Sequence, residues 1–179
     1  MTKILVICTG NINRSALTAA LLQRDVGHIH TIRSAGLTAD GLVPPDKMVA
    51  AALEHGIDLS GHVSRLVTES DIEGADLLIC MDRTHPVRLA AVSTEAPTKT
   101  FLMTELIESL RGLPDPPDSL EAAIAALADQ RSPGQFLSPR HPDVPDPMGR
   151  SKRQFKKASQ IIVDLVGELS PQLLQKDRE

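Results

Sequence analysis

The chain has 179 residues, 41% of them hydrophobic but only 2% aromatic, with no Trp and no Tyr, so its core must be aliphatic. Nineteen basic and 23 acidic residues are interspersed and give a formal net charge of −4, which argues against a nucleic-acid partner or a membrane surface. Two cysteines make no disulfide framework and fit a reduced, cytoplasmic protein, and the apolar run near the start is too short to serve as a signal or to span a bilayer.

Short apolar runs alternate with helical patterns, which predicts an α/β fold with a parallel sheet in a single domain over 1–179. The first strand, Lys3–Ile7, ends at Cys8. A short segment, Thr9-Gly10-Asn11-Ile12-Asn13-Arg14-Ser15, leads into a helix from Ser15 or Ala16 to about Arg24, with Leu17, Leu21 and Leu22 on its inner face. A strand, a tight loop and a helix start together build an anion cradle. Loop N–H groups and the helix N-terminus converge on the anion. The planar fork of Arg14 suits two phosphate oxygens. A cysteine in that positive field is favoured as its thiolate, and Ser15 is placed to stabilise it. The spacing Cys-x5-Arg alone is weak, and a buried strand-end cysteine is common. The context of Cys8 makes it a candidate nucleophile.

Further strands are expected at His30–Ser34, Asp76–Met81 and Thr98–Leu102. A helix from Asp46 to His55 stops at Gly56, with Ile57 placed to pack on its end. Pro86 fits the first turn of a short helix ending near Val92, and Thr104–Leu110 reads as another. Residues 112–150 differ in character. The breaker cluster Gly112-Leu113-Pro114-Asp115-Pro116-Pro117 precedes an Ala-rich helix, Ser119–Ala128, capped by Asp118 or Ser119. Pro133, Pro139, Pro142, Pro145 and Pro147 then follow in quick succession. The stretch of about 112–145 reads as a stiff surface excursion, a candidate lid, without apolar content for its own core. The last helix, about Lys152–Leu169, places Phe155, Ala158, Ile162, Leu165 and Leu169 on one stripe, and Ser170-Pro171 ends it.

Thiolate attack on a phosphate ester also requires an acid to protonate the leaving oxygen. Asp143 and Asp146 both lie in the Pro-rich loop. Pro147 pushes Asp146 toward an extended conformation and limits where its carboxylate can go, which favours Asp146 over Asp143. Most Asp-Pro pairs are ordinary loop residues, so this assignment is open at the level of residues alone.

In order and spacing, several segments resemble the low-molecular-weight protein tyrosine phosphatases and the arsenate reductases that share their fold. They are Cys8 to Ser15, Arg33-Ser34-Ala35-Gly36, Gly56 to Arg65, Asp76 to Asp82, and Asp146-Pro147. The resemblance implies a four-stranded parallel sheet in order 2-1-3-4 with helices on both faces. The phosphate-binding loop then follows strand 1 at a topological switch point. It implies that Cys8 is the nucleophile and forms a covalent thiophosphate, that Arg14 clamps phosphate, and that Asp146 is general acid and then base. Thr9, Gly10, Asn11, Ile12, Asn13, Arg14 and Ser15 would bind phosphate, and Asn11, Ser15, Ser34 and His62 would hold the loop, with Asn11 left-handed. The chemistry would need no metal and no cofactor, and the substrate would be a phosphorylated protein or a small aryl phosphate.

The chain also departs from the family pattern. Asn13 stands where the family often has a second Cys, and Ala16 replaces a usual Pro. Met148 stands where many members carry Tyr or Phe, and Leu37 and Leu42 offer no ring, so the aromatic walls for phosphotyrosine are missing. Ile12, where the protein-arginine phosphatase branch typically has Thr, is the phosphotyrosine-like choice. Arsenate reduction is the competing reading. Of the two further relay cysteines that thioredoxin-coupled reductases use, Cys80 fills the first place but Val87 fills the second, so only an external low-molecular-weight thiol would serve. A non-catalytic phosphate-binding module would require an inert Cys8 or a misplaced Asp146.

Overall fold

The computed structural model describes residues 1–38, 40–113, 117–132, 134, 136 and 140–175. Four strands, β1 (Lys3–Cys8), β2 (Thr31–Gly36), β3 (Leu77–Cys80) and β4 (Thr100–Leu102), form one parallel sheet in the order β2-β1-β3-β4. The central strands β1 and β3 are nearly continuous runs of Leu, Ile and Val because both faces are covered. Alternation divides them. Ile4, Val6, Cys8, Leu77 and Ile79 join the larger apolar cluster, and Leu5, Ile7, Leu78 and Cys80 join the smaller one. The larger cluster takes in α1 (Arg14–Val26), α2 (Asp46–Leu53), α6 (Met103–Arg111), α7 (Leu120–Gln130) and α8 (Lys152–Gln175). The smaller one takes in α3 (Glu69–Glu73), α4 (Thr84–Ala90) and α5 (Ala96–Lys99). Gly56 ends the turn after α2 at φ +76°, and Ile57 N–H returns to the Ala52 carbonyl at 3.1 Å.

Several elements differ from the sequence expectation. β4 is three residues long because Ala96–Lys99 turns helical, with Pro97 in its first turn. The five-residue α3, not foreseen, is capped from both sides: Asp71 N–H donates to Thr68 Oγ1 at 3.2 Å, and Thr68 N–H donates to the Asp71 carboxylate at 3.0 Å. The 112–145 stretch is not a surface excursion throughout. Its helix α7, capped by Ser119, buries Leu120, Ala123, Ile124 and Leu127 in the main core. Thr2, just before β1, donates to Glu121 at 2.7 Å, so α7 starts at the end of the sheet away from Cys8 and is no lid over it. The expected breakers Pro114, Asp115 and Pro116, and Pro133 and Pro139 beyond the helix, lie outside the described residues.

The last helix also passes Ser170-Pro171 and continues to Gln175. An interior Pro costs about 3 kcal/mol. Pro171 is exposed, so its ring meets solvent, and the continuation buries Leu173 beside Leu169. Burying such a side chain returns about 1.5–3 kcal/mol. Among the described residues, no helix is long and apolar enough to cross a membrane.

Candidate active site

β1 ends at Cys8 between two neighbouring strands, and the chain must turn sharply to start α1 at Arg14. Asn11 makes the turn with φ +50°, a left-handed conformation that Asn tolerates. Gly36, at the end of β2, lets the turn sit close. A Cβ there would meet Gly10 C at 3.0 Å and Asn11 N at 3.1 Å.

The loop closes around the Cys8 sulfur. Asn11 N–H donates to Sγ at 3.2 Å, and Ser15 Oγ lies 3.0 Å from it. Asn11 Nδ2 donates to Ser15 Oγ at 3.0 Å and to Ser34 Oγ at 2.9 Å. Ser15 Oγ thus accepts from Asn11 and stands beside the sulfur with its own hydroxyl proton still to give. His62 Nε2 donates to the Asn11 carbonyl at 2.6 Å, and Arg65 N–H donates to Asn11 Oδ1 at 3.1 Å. Asn11 is thus gripped through its backbone oxygen, its amide nitrogen and its side-chain oxygen.

Arg14 is only 3% exposed and spreads its fork across the opening of the loop. Nη1 donates to the Val144 carbonyl at 3.1 Å, Nη2 to Asp146 Oδ2 at 2.7 Å, and Nη2 also to Thr9 Oγ1 at 3.4 Å. Asp82 stands 3.9 Å from Nη1. Burial works against the Asp82 carboxylate, but hydrogen bonds from Thr84, with nearby His85 and Arg14, outweigh it and hold its pKa below the usual range. Asp146 Oδ1 accepts from Met148 N–H at 3.0 Å, which fixes the carboxylate in a tight turn. Its rival Asp143 is engaged elsewhere: Arg83 donates to it from the backbone at 2.9 Å and from Nε at 3.0 Å. Asn13 Nδ2 reaches Met148 Sδ at 3.6 Å, so the loop just before α1 and the Asp-Pro-Met turn touch directly.

Sequence reasoning missed His85. It is fully buried on α4, and its Nε2 lies 3.1 Å from Thr9 Oγ1. Burial, then the Arg14 charge, pushes its pKa down to about 4 against the pull of Asp82. A histidine beside Pro86 in a short helix carries no local signal of such a place. Cys80 is separate from all of this. It points into the smaller cluster, on the sheet face opposite Cys8, and burial pushes its thiol well above the ordinary range, with Glu105 adding to the effect.

Residues 3–131 match the family described as low molecular weight phosphotyrosine protein phosphatase. The low molecular weight protein-tyrosine-phosphatase Etp of Escherichia coli (strain K12) is 36% identical over 116 residues, covering 63% of this chain and 76% of its own length. The protein-tyrosine-phosphatase Wzb of Salmonella typhi is 33% identical over 141 residues, covering 75% and 91%. Among solved structures, Vibrio vulnificus Wzb in complex with benzylphosphonate superimposes with a TM-score of 0.72 at 27% identity, covering 95% of this chain and 97% of that one. The YwlE arginine phosphatase of Geobacillus stearothermophilus shares the fold, with a TM-score of 0.74 at 24% identity and 98% and 95% covered. With its sheet order and a match over residues 3–131, the chain belongs to the low molecular weight phosphotyrosine protein phosphatase family and is an enzyme of that kind.

Proposed function

We propose that this phosphatase works by covalent catalysis at Cys8 and that its substrates are phosphotyrosine residues of proteins, with small aryl phosphates as surrogates. The Cys8 thiolate attacks phosphorus. An S–P bond forms as the P–O bond to the leaving group breaks, and Asp146 gives its proton to the departing oxygen. Asp146 then takes a proton from water, which attacks phosphorus, breaks the S–P bond and releases inorganic phosphate and the Cys8 thiolate. Arg14 holds non-bridging oxygens throughout, where charge is greatest. One observation carries this reading: the Cys8 sulfur lies against Asn11 N–H and Ser15 Oγ in the loop that ends at Arg14, and Arg14 meets Asp146 at 2.7 Å.

Ile12, where the resemblance puts Thr in the protein-arginine phosphatase branch, supports phosphotyrosine over phosphoarginine. Met148 is 55% exposed and reaches Asn13, so it offers an adaptable thioether face to an aryl ring in place of an aromatic wall. The burial of Cys80 on the opposite face of the sheet gives no support to an internal thiol relay for arsenate. Cys8→Ser tests the proposal. Hydrolysis of p-nitrophenyl phosphate should vanish while inorganic phosphate still binds. Appreciable turnover in that variant refutes the covalent step, and arsenate-dependent consumption of an external thiol by the native chain would favour the reductase.

A further inference from the structure

Thr9 follows the nucleophile, and its hydroxyl is not free to turn. Arg14 Nη2 donates to Thr9 Oγ1 at 3.4 Å, and His85 Nε2 lies 3.1 Å from the same oxygen. His85 is fully buried, and its Nδ1 has no partner among the described residues. An orphaned buried N–H is rarer and costlier than an unfilled lone pair. The network therefore places the ring proton on Nε2, directed at Thr9. The charged groups around the ring agree with a neutral imidazole. Arg14 from α1 and Arg88 from α4 oppose a second proton, and they and burial outweigh Asp82 and Asp143 on the other sides. Two N–H donors occupy both lone pairs of the Thr9 hydroxyl, so its own proton has to be given to something else.

We propose that His85 is a positioning residue: by donating Nε2–H to Thr9 it turns the Thr9 hydroxyl into an added donor for a non-bridging oxygen of the bound phosphate. The inference rests on the phosphatase reading of the Cys8 loop and deepens it. Thr9 Oγ1 lies 3.4 Å from Arg14 Nη2, so the hydroxyl stands beside the guanidinium that would hold such an oxygen. With the tautomers reversed, Thr9 would donate to His85, an N–H would be orphaned at Nδ1, and the anion would lose one donor.

A double-mutant cycle with inorganic phosphate as competitive inhibitor of p-nitrophenyl phosphate hydrolysis tests this. Thr9→Val removes the hydroxyl at nearly constant shape. His85→Leu removes the donor that aims it. Each should weaken phosphate binding about tenfold, the loss of one hydrogen bond to a charged group. The Thr9→Val/His85→Leu double variant should be no weaker than either single one. His85→Gln, whose amide nitrogen reaches the Nε2 position, should restore most of the affinity. Where His85→Leu is too unstable to purify, His85→Asn, too short to reach Thr9, takes its place with the same expected loss. Losses that add in the double variant, unchanged phosphate binding in Thr9→Val, or no rescue by Gln would each overturn the inference. Absence of phosphate binding in the native protein would instead overturn the phosphatase reading itself.

Discussion

Asp146→Asn should slow the enzyme and yet make it bind phosphate more tightly. Asp146 Oδ2 pairs with Arg14 Nη2 at 2.7 Å, so an oxyanion that binds through Nη2 competes with the carboxylate for the guanidinium. Asp146 is 41% exposed, so the pair is half in water and is worth about 1 kcal/mol rather than the 3–5 kcal/mol of a buried one. Removing the charge also removes repulsion between carboxylate and phosphate, about 1 kcal/mol at roughly 4 Å in a well-solvated setting. Together these predict phosphate inhibition about five- to thirtyfold stronger. The amide keeps the shape of the side chain and can still accept from Met148 N–H, which Asp146 does at 3.0 Å. Loss of the general acid should cost about 10²–10⁴ in kcat, more for phenyl phosphate than for p-nitrophenyl phosphate, whose phenolate leaves with little help. Initial rates on the two esters, with phosphate inhibition constants, separate the two effects. Unchanged or weaker phosphate binding would refute the competition for Arg14. If Asp143→Asn showed the leaving-group effect instead, the acid assignment would fail.

Arg14→Lys replaces a fork that spans the Val144 carbonyl and Asp146 with a single ammonium, so at least one charge-assisted bond of about 1.5–3 kcal/mol is lost and kcat/KM should fall about tenfold or more; near-normal kinetics would place the clamp elsewhere. His85 gives stability an acid limb: its folded pKa of about 4 lies below the ordinary 6.5, so its contribution is complete above pH 6.5 and is lost as pH falls toward 4. The ceiling is about 3 kcal/mol in urea unfolding, and His85→Gln should flatten that window, while depressed carboxylates such as Asp82 act only at lower pH. Glu105 and Arg131 form a buried pair at 3.0 Å, with Arg131 also over the rings of Phe101 and Phe136, so Glu105→Leu should destabilise the chain by about 3–5 kcal/mol; a loss under about 1 kcal/mol would show that Arg131 finds other compensation.

The sheet was legible because β1 and β3 are apolar runs that only a doubly covered parallel sheet can bury. Its order came with the family resemblance and not from any pattern. The errors lie where one strong local signal hid a tertiary one. The prolines on both sides of α7 made the whole stretch read as surface. Yet Leu120, Ala123, Ile124 and Leu127 follow helical spacing and reach the core. Pro171 looked like a stop, but the burial of Leu169 and Leu173 carries α8 through it. Thr98 and Lys99 read as strand until Pro97 and the turn of α5 claimed them.

The site divides in the same way between local and distant contacts. Cys8, Arg14 and Ser15 lie in one short segment between a strand and a helix start, and that context suggests a cradle where the spacing alone would not. Ser34, His62 and Arg65 hold the loop from behind, and the side that Arg14 faces is set by one further anchor from far along the chain. Val144 is buried, its N–H donates to the Met81 carbonyl at 2.9 Å, and its own carbonyl accepts from Arg14 at 3.1 Å. That pins the returning segment against the end of β3 and fixes its register. With Val144 held, the residue before it turns to Arg83, while the residue two beyond it faces Arg14. Which of Asp143 and Asp146 faces Arg14 therefore follows from a backbone contact between distant residues, which the prolines around them stiffen but do not encode. The Met81 contact belongs to the same junction. Asp82 and Arg83 follow at once, and His85 enters α4 beside Thr9. One junction between the end of β3 and the Val144 segment thus brings Asp146 and the Val144 carbonyl to Arg14, and His85 to Thr9.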